Sequence, residues 1–425
     1  PAAERYFTLS EQLFEQRKPG NTDLDRELPI LHYYRMLAYF NAFKKTQDLT
    51  FLSQAETSAG NFIQSIDLFK PYLQSELLKQ NLNAVYRPGF ESACAIALAR
   101  HQQTGTAQAL LDAFRSAEKS KSLALYENTL ETRALHFGGI PDSLLERAYE
   151  LRTDISWYEK QLFELENQAV AATDTSLLAV SNRLFDLRRE HEGLKKTFET
   201  DYPDYYALKY DLRIESVAAI QRELLYPDMA LVEYFVGDSA IFIFTIGKQD
   251  YSVLEVKKDF PLEQWVTELR TGLTGFHTDP AMALHYDSLS ALYTNAAANI
   301  YEKLVAPIAA ELPAKVIIIP DGVLGYVPFE ALLVEKPDNP TRWPQHRYLL
   351  NDHSVSYCYS ATMLREMLFR KHQQTPNLSF LGFAPNFDGD TSLLAKLFPY
   401  ADDMRKAPLP LPHSGEEVFR IARLL

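Results

Sequence analysis

The stretch Lys315-Val316-Ile317-Ile318-Ile319-Pro320-Asp321-Gly322 joins a short, continuous apolar run to a turn. Consecutive β-branched residues with no polar residue among them are typical of a strand that is buried on both faces of a sheet. Asp-Gly directly after such a strand has the residues of a tight turn, because both tolerate the backbone angles that a turn needs. The stretch therefore predicts an internal strand that ends at Ile319.

Other β-rich runs occur on both sides of this strand, at 230–236, 240–246, 251–256, 353–359 and 378–383. The first two flank Gly237-Asp238 and predict a hairpin. Helical segments are predicted between the β-rich runs, around 261–273 and 287–310. Strands that alternate with helices predict an α/β sheet that is covered on both faces.

The first 140 residues contain only helical patterns. Apolar residues recur at spacings of three and four, and breaks are predicted at Pro19-Gly20, Lys70-Pro71, Arg87-Pro88-Gly89 and Thr104-Gly105. Segments of this length predict antiparallel helical hairpins that stack as a solenoid. Leu110, Phe114 and Ala117 have the spacing of the second helix of a tetratricopeptide repeat, without the full repeat pattern. We therefore predict a TPR-like helical arm over residues 1–140.

Residues 141–205 predict an antiparallel coiled-coil hairpin. Two runs of apolar residues at alternating spacings of four and three are separated by a short polar break. The runs are Leu144, Ala148, Leu151, Ile155, Tyr158, Leu162 and Leu165, then Leu177, Val180, Leu184, Leu187, His191, Leu194 and Phe198. We interpret His191 as a histidine in the seam rather than a metal ligand, because no second ligand lies near it in a suitable pattern.

The composition is that of an ordinary globular protein with more than one domain. The chain has 425 residues and a formal net charge of −13, which disfavours nucleic acid or an anionic membrane as the main partner. The two cysteines, Cys94 and Cys358, form no CxxC pair, so we expect no thiolate metal site and no disulfide framework. No glycine-rich phosphate loop or complete calcium loop is present, so no cofactor is expected. Cytoplasmic localisation is the expectation.

Four segments carry a family resemblance. They are Pro320–Leu332 (PDGVLGYVPFEAL), residues 230–237, residues 348–362, and Ala117–Lys121 at the end of the helical arm. Together they resemble the CHAT domain family of caspase-like and separase-like cysteine peptidases, in which tetratricopeptide repeats precede the peptidase domain. The resemblance implies a caspase-like α/β sandwich over residues 206–425, which comprises a non-catalytic first half and the start of the active half.

The resemblance also implies where the catalytic residues belong. It places the histidine after a later strand in a His-Gly context, and the nucleophilic cysteine after the next strand. None of the 10 histidines here is followed by glycine, and neither cysteine has the expected context. We therefore assign no catalytic residue and expect the family's His and Cys beyond Leu425. Ser414-Gly415-Glu416-Glu417 is a capping box that predicts a helix start, and the unfinished apolar face of that helix leads us to expect that the native chain continues.

The residues themselves support no cysteine chemistry. Cys94 and His101 are two turns apart on one predicted helix, so their side chains are out of hydrogen-bond reach. His353 and Cys358 are five residues apart on one predicted strand, which places them on opposite faces. We interpret Cys94 as a small buried apolar residue.

Two functions remain open. The first is the regulatory and scaffold portion of a caspase-like cysteine endopeptidase, which would cleave protein substrates with its His/Cys half present. The second is a non-enzymatic protein–protein interaction scaffold. In both, the helical arm is expected to bind a protein partner, because stacked helical hairpins present a concave surface to a peptide or a helix. Nucleic acid and membrane are not expected as partners.

Overall fold

The computed structural model describes residues 22–69, 76–121, 140–167, 175–202, 214–278, 285–369, 382 and 413–424. The chain divides into two compact units, residues 1–368 and residues 369–425. The second unit contains the helix Ser414–Leu424, which begins where the sequence predicts a helix start. The strand predicted at 378–383 lies outside the described residues, apart from Gly382.

The described chain begins with four helices of the predicted arm, α1 (Thr22–Thr46), α2 (Leu49–Phe69), α3 (Glu76–Thr104) and α4 (Ala107–Ser120). The first three enclose a small apolar core that includes Met36, Phe40, Leu52 and Ile96. Apolar residues at helical spacing form this core, so the region is consistent with the predicted helical repeats.

Helix α3 differs from the prediction, which placed a break at Arg87-Pro88-Gly89. The helix continues from Glu76 to Thr104 with Pro88 inside it. A Cβ atom on Gly89 would lie 2.2 Å from the ring of Phe62, so glycine permits a close approach of α2 and α3. The rings of Phe62 and Phe90 also pack edge to face, with centroids 5.3 Å apart. Tertiary packing therefore outweighs the local preference of Pro-Gly for a turn.

The next two helices, α5 (Asp142–Asn167) and α6 (Thr175–Asp201), form the predicted hairpin. Leu151 and Ile155 on α5 pack against Leu184 and Leu187 on α6. Nearer the open end, Ala148 packs against Phe198, which fits an antiparallel arrangement. His191 is buried in this seam, as predicted.

Five strands form one mixed sheet in the order β3-β2-β1-β4-β5. The strands are β1 (Met229–Val236), β2 (Ala240–Gly247), β3 (Tyr251–Lys257), β4 (Lys315–Ile319) and β5 (Ser354–Tyr357). β1, β2 and β3 are antiparallel neighbours, whereas β1, β4 and β5 run parallel. The carboxyl ends of β1, β4 and β5 therefore lie at one edge of the sheet.

In the described part of the chain, four helices accompany the sheet, namely α7 (Val217–Glu223), α8 (Leu262–Thr278), α9 (Tyr286–Leu304) and α10 (Ala361–Phe369). α9 is shorter than the predicted helix at 287–310. It is followed by a separate 3₁₀ helix, Ala306–Glu311, with a proline in its first turn. The proline has no N–H to continue the α-helical hydrogen-bond pattern, which explains the earlier end.

The two faces of the sheet contact different helices. On one face, Val232, Tyr234 and Val236 pack against residues of α8 and α9 such as Leu269 and Tyr293. On the other face, which we call the arm face, the sheet contacts α2, α3, α4 and α7. The residues that meet on the arm face are large and apolar, including Phe62, Phe90, Phe114, Val217, Leu231, Phe235, Phe242, Phe244, Ile317 and Ile319.

The chain thus combines an N-terminal helical region with a mixed α/β sheet, which is the predicted α plus α/β class. One buried cluster includes residues from the arm and from the sheet, so the two parts share a core. The domain boundaries at 140 and 205 stay predictions. Within the described ranges, every helix is too short or too polar to cross a bilayer.

Candidate functional site

The carboxyl edge of the parallel strands brings together residues from three distant segments. Glu233 of β1 is opposite Ile319 of β4, and Ile318 is opposite Tyr357 of β5. Cys358 follows Tyr357, and its N–H donates to the carbonyl of Ile318 at 3.1 Å. Partners in parallel strands point to the same face, so Glu233 and Cys358 lie in one row with Ile319 on the arm face.

The end of the arm contacts this edge through Glu118, at the end of α4. The Glu118 carboxylate accepts hydrogen bonds from the N–H groups of Ala361 at 3.0 Å and Thr362 at 3.2 Å. It also accepts the Thr362 hydroxyl at 2.7 Å. Glu118 therefore caps the N-terminus of α10 from another element, where a negative charge is favoured by the unpaired N–H groups and the helix dipole.

Lys121, directly after α4, lies next to Glu233 in a buried position. Its Nζ atom lies 3.2 Å from Oε1 of Glu233, and the two side chains are 5% and 0% exposed. Burial and the neighbouring Glu118 raise the pKa of Glu233 well above its usual range, although Lys121 opposes this effect. The proton on Glu233 is therefore held more tightly than on a carboxyl group in water.

Cys358 is half-buried beside these carboxyl groups. Burial raises the pKa of its thiol, and Glu118 and Glu233 add to the increase. Its Sγ atom lies 3.4 Å from the carbonyl oxygen of Ser360. A nucleophilic cysteine needs a depressed thiol pKa, from a neighbouring imidazolium or another cation. The surroundings of Cys358 have the opposite effect.

The other candidate residues from the sequence do not gather at this edge. Cys94 is fully buried in α3, where its thiol donates to the carbonyl of Ala113 at 3.4 Å and burial raises its pKa. His101 Nδ1 lies 3.1 Å from the carbonyl oxygen of Thr106. His353 precedes β5, with Nδ1 2.7 Å from the carbonyl oxygen of Pro313. Cys94 is thus the buried apolar residue that the sequence predicts.

A second contact between arm and sheet lies at the β1–β2 turn. The Glu91 carboxylate accepts the N–H groups of Asp238, Ser239 and Ala240 at 2.8, 2.9 and 3.0 Å, and the Ser239 hydroxyl at 2.5 Å. A Cβ atom on Gly237 would lie 2.4 Å from the Glu91 carboxyl carbon, so glycine is required for this approach.

One turn before Glu91, Arg87 forms an ion pair with Asp321. Arg87 Nε donates to the carbonyl of Val236, and Asp321 accepts the N–H of Val236, both at 2.7 Å. Gly322 has a φ of 54°, as the predicted tight turn requires. Asp321 thus lies in the turn that follows β4, and its contact with Arg87 fixes α3 to the sheet.

Sequence reasoning did not find Glu91, Glu118 or Lys121 as functional residues. Each of them contacts a partner that is distant in the chain. Glu91 and Asp238, for example, are separated by 147 positions in the sequence. Glu233 did leave a signal, because it is the one charged residue in the otherwise apolar run 230–236. A lone carboxylate in a strand that is buried on both faces indicates a buried partner.

The described contacts at the carboxyl edge hold the end of the arm against β1 and α10. Neither Cys94 nor Cys358 has a described contact with an imidazole. Among the described residues, no group of three or more His, Cys, Asp or Glu is placed to hold a metal ion. The assignment of no catalytic residue up to Leu425 stays a prediction.

Comparison with known families identifies the C-terminal part of the chain. The model of the CHAT domain matches residues 294–425, which begin within α9 and include β4, β5 and α10. Comparison with curated proteins gives no match to this chain. The matched range contains the Pro320–Leu332 segment that carries the most specific resemblance. Residues 294–425 of this chain thus form a CHAT domain.

Proposed function

We propose that this chain is the regulatory and scaffold portion of a caspase-like cysteine endopeptidase. In this proposal, the helical arm binds a protein partner, and the sheet supports a catalytic half that supplies the histidine and the cysteine. The match of residues 294–425 to the CHAT domain supports the relation to caspase-like peptidases.

The observation that carries the regulatory role is the contact of the arm with main-chain groups of the sheet. Glu91 binds the β1–β2 turn, and Glu118 binds the start of α10 at the carboxyl edge. Peptide groups cannot move independently of their strand or helix. A partner that shifts α3 or α4 would therefore act directly on the edge where α/β proteins place their active sites.

A groove on the arm supports partner binding. It has a volume of about 670 Å³ and lies between α2, α3 and α4. Small residues, including Gly60, Ala93 and Ala97, line it, and Glu56, Asp112 and Arg115 add charged groups. A volume of this size, lined by small residues with a few charges, fits side chains of a bound peptide.

The test compares peptide hydrolysis by the 425-residue chain and by the product of the full coding sequence. The chain alone should show no activity, and Cys94→Ala and Cys358→Ala should leave any trace hydrolysis unchanged, because neither thiol is activated. The full product should cleave protein substrates through a cysteine outside residues 1–425. Loss of hydrolysis in a folded Cys358→Ala variant would place the active site in this half and overturn the proposal.

The second function, a non-enzymatic interaction scaffold, is favoured by the same groove and by the raised thiol pKa of Cys358. The same assay separates the two. A full product that binds a protein through the arm without hydrolysing any peptide would favour the scaffold.

A further inference from the structure

The buried charged residues at the carboxyl edge have a consequence beyond the proposed function. Glu118 and Lys121 are three residues apart at the end of the arm, and both are nearly inaccessible to water. One contacts α10 and the other contacts Glu233 on β1. The end of the arm is thus fixed to α10 and to β1 by one buried group of three ionisable side chains.

We propose that Glu118, Lys121 and Glu233 form a proton-controlled latch, which holds the end of the arm on the sheet while Glu233 is protonated and loosens when that proton is lost. With Glu233 neutral, the buried group holds one positive charge, on Lys121, and one negative charge, on Glu118. With Glu233 ionised, the same group holds two negative charges and one positive charge. An excess charge that is buried away from water is costly. Ionisation of Glu233 therefore favours a state in which the end of the arm has separated from the sheet.

Among the residues that the structure describes, the other titratable groups around Glu233 add no positive charge. They are Cys358 after β5, Cys94 on α3 and Tyr251 on β3, which all interact electrostatically with Glu233. Burial raises the pKa of each, so all three are neutral near pH 7. Within the described ranges, Lys121 is therefore the cation that favours the ionised state of Glu233.

The sign of the pH dependence follows from the direction of the shift. The pKa of Glu233 in the folded chain is raised. Its contribution to the free energy that holds the arm on the sheet is therefore fully present below the ordinary carboxyl pKa of about 4.3. That contribution is lost as the pH rises through the raised value. Salt-bridged carboxylates behave in the opposite way, because their stabilisation is lost as the pH falls.

The experiment is hydrogen–deuterium exchange of the intact chain from about pH 5 to about pH 9, corrected for the intrinsic pH dependence of exchange. The reporter is the start of α10, where the N–H groups of Ala361 and Thr362 bind Glu118. In the parent chain, the opening equilibrium should increase with pH, by at most about tenfold per pH unit while one proton is lost. Glu233→Gln, which keeps the shape of the neutral carboxyl group, should abolish the increase.

Two further variants make the result specific. Lys121→Met removes the cation that favours the ionised form, so the increase should move to higher pH. Glu255→Gln is the matched control, because Glu255 also has a pKa raised by burial and lies on β3, at the opposite end of the strand order from β5. It should keep the parent profile.

Three outcomes would each overturn the latch. They are a parent profile that is flat over this pH range, a Glu233→Gln profile with the parent slope, and a Lys121→Met profile without a shift to higher pH. The parent and Lys121→Met profiles decide the matter even if Glu233→Gln does not fold.

Discussion

At the scale of single residues, two glutamates fix the helical arm to the α/β sheet. Glu91 and Glu118 both accept main-chain N–H groups, at a part-buried turn and at a buried helix start. Hydrogen bonds to a charged acceptor stabilise by more than neutral ones, and an unsatisfied buried donor is costly. We therefore expect large effects from single substitutions at these positions.

Substitution Glu91→Ala should lower the free energy of unfolding by about 2–4 kcal/mol, because three N–H groups and a hydroxyl lose their acceptor. Urea denaturation monitored by circular dichroism measures this change. Glu302→Ala is the control, since Glu302 is 72% exposed and should change the stability by less than about 0.5 kcal/mol. A Glu91→Ala loss as small as that of the control would show that the turn holds its conformation without the carboxylate.

At the same scale, the sequence allowed part of the site to be predicted. Glu233 is conspicuous within an apolar strand, and Asp321-Gly322 has the composition of a turn. The roles of Glu91 and Glu118 were not predictable. A glutamate on a helix normally faces water, and only the approach of the sheet buries these two.

At the scale of helices and strands, glycine allows two helices to pack more closely than any other residue would. A Cβ atom on Gly272 of α8 would lie 2.6–2.8 Å from the Cβ and N atoms of Tyr293 and from the carbonyl oxygen of Leu289 on α9. Two of these three atoms belong to the backbone of α9, so they cannot move aside by a change of rotamer. Glycine at this position thus sets the distance between the two helices.

The matched pair Gly272→Ala and Gly193→Ala should have opposite effects. Gly272→Ala should destabilise by about 1–3 kcal/mol, because α8 and α9 must move apart. Gly193 of α6 has open space around its Cα atom, so alanine there should stabilise by about 0.5–1 kcal/mol through its higher helix propensity. Thermal unfolding of both variants gives the signs. A stabilised Gly272→Ala would contradict the described packing of α8 on α9.

The elements themselves were largely predictable, since the five described strands and the hairpin helices follow their apolar periodicities. The break predicted at Pro88-Gly89 is wrong, because packing of α3 on Phe62 holds the helix together. The end of α9 before a second, 3₁₀ segment was also missed. Both errors occur at prolines, where local preference and tertiary contacts compete.

At the scale of the whole molecule, the apolar core crosses from the arm to the sheet. Phe114 of α4 packs edge to face on Phe244 of β2 and on Tyr251 of β3, with ring centroids 5.8 and 6.4 Å apart. The sequence could not show this, because the pattern of a strand reveals that a face is buried without identifying what buries it. Arm and sheet should therefore unfold together.

Substitution Phe114→Ala tests this coupling, with an expected loss of about 3–5 kcal/mol from the cavity that it leaves. All three tryptophans of the chain lie outside the arm, at positions 157, 265 and 343. Their fluorescence should report the destabilisation at the same urea concentration as circular dichroism. Leu111→Ala, on an exposed position of the same helix, is the control. If the fluorescence transition of Phe114→Ala matched that of the parent, the arm and the sheet would be independent units.

The way in which Glu91 contacts the β1–β2 turn has a consequence for how relatives of this chain can diverge. Three of its four hydrogen bonds come from peptide N–H groups, which every residue except proline supplies. Random substitution at Asp238 and Ser239 is therefore expected to be tolerated widely, with proline excluded. Substitution at position 91 is constrained by both the length and the charge of the side chain. The two sides of one interface should thus accumulate mutations at very different rates.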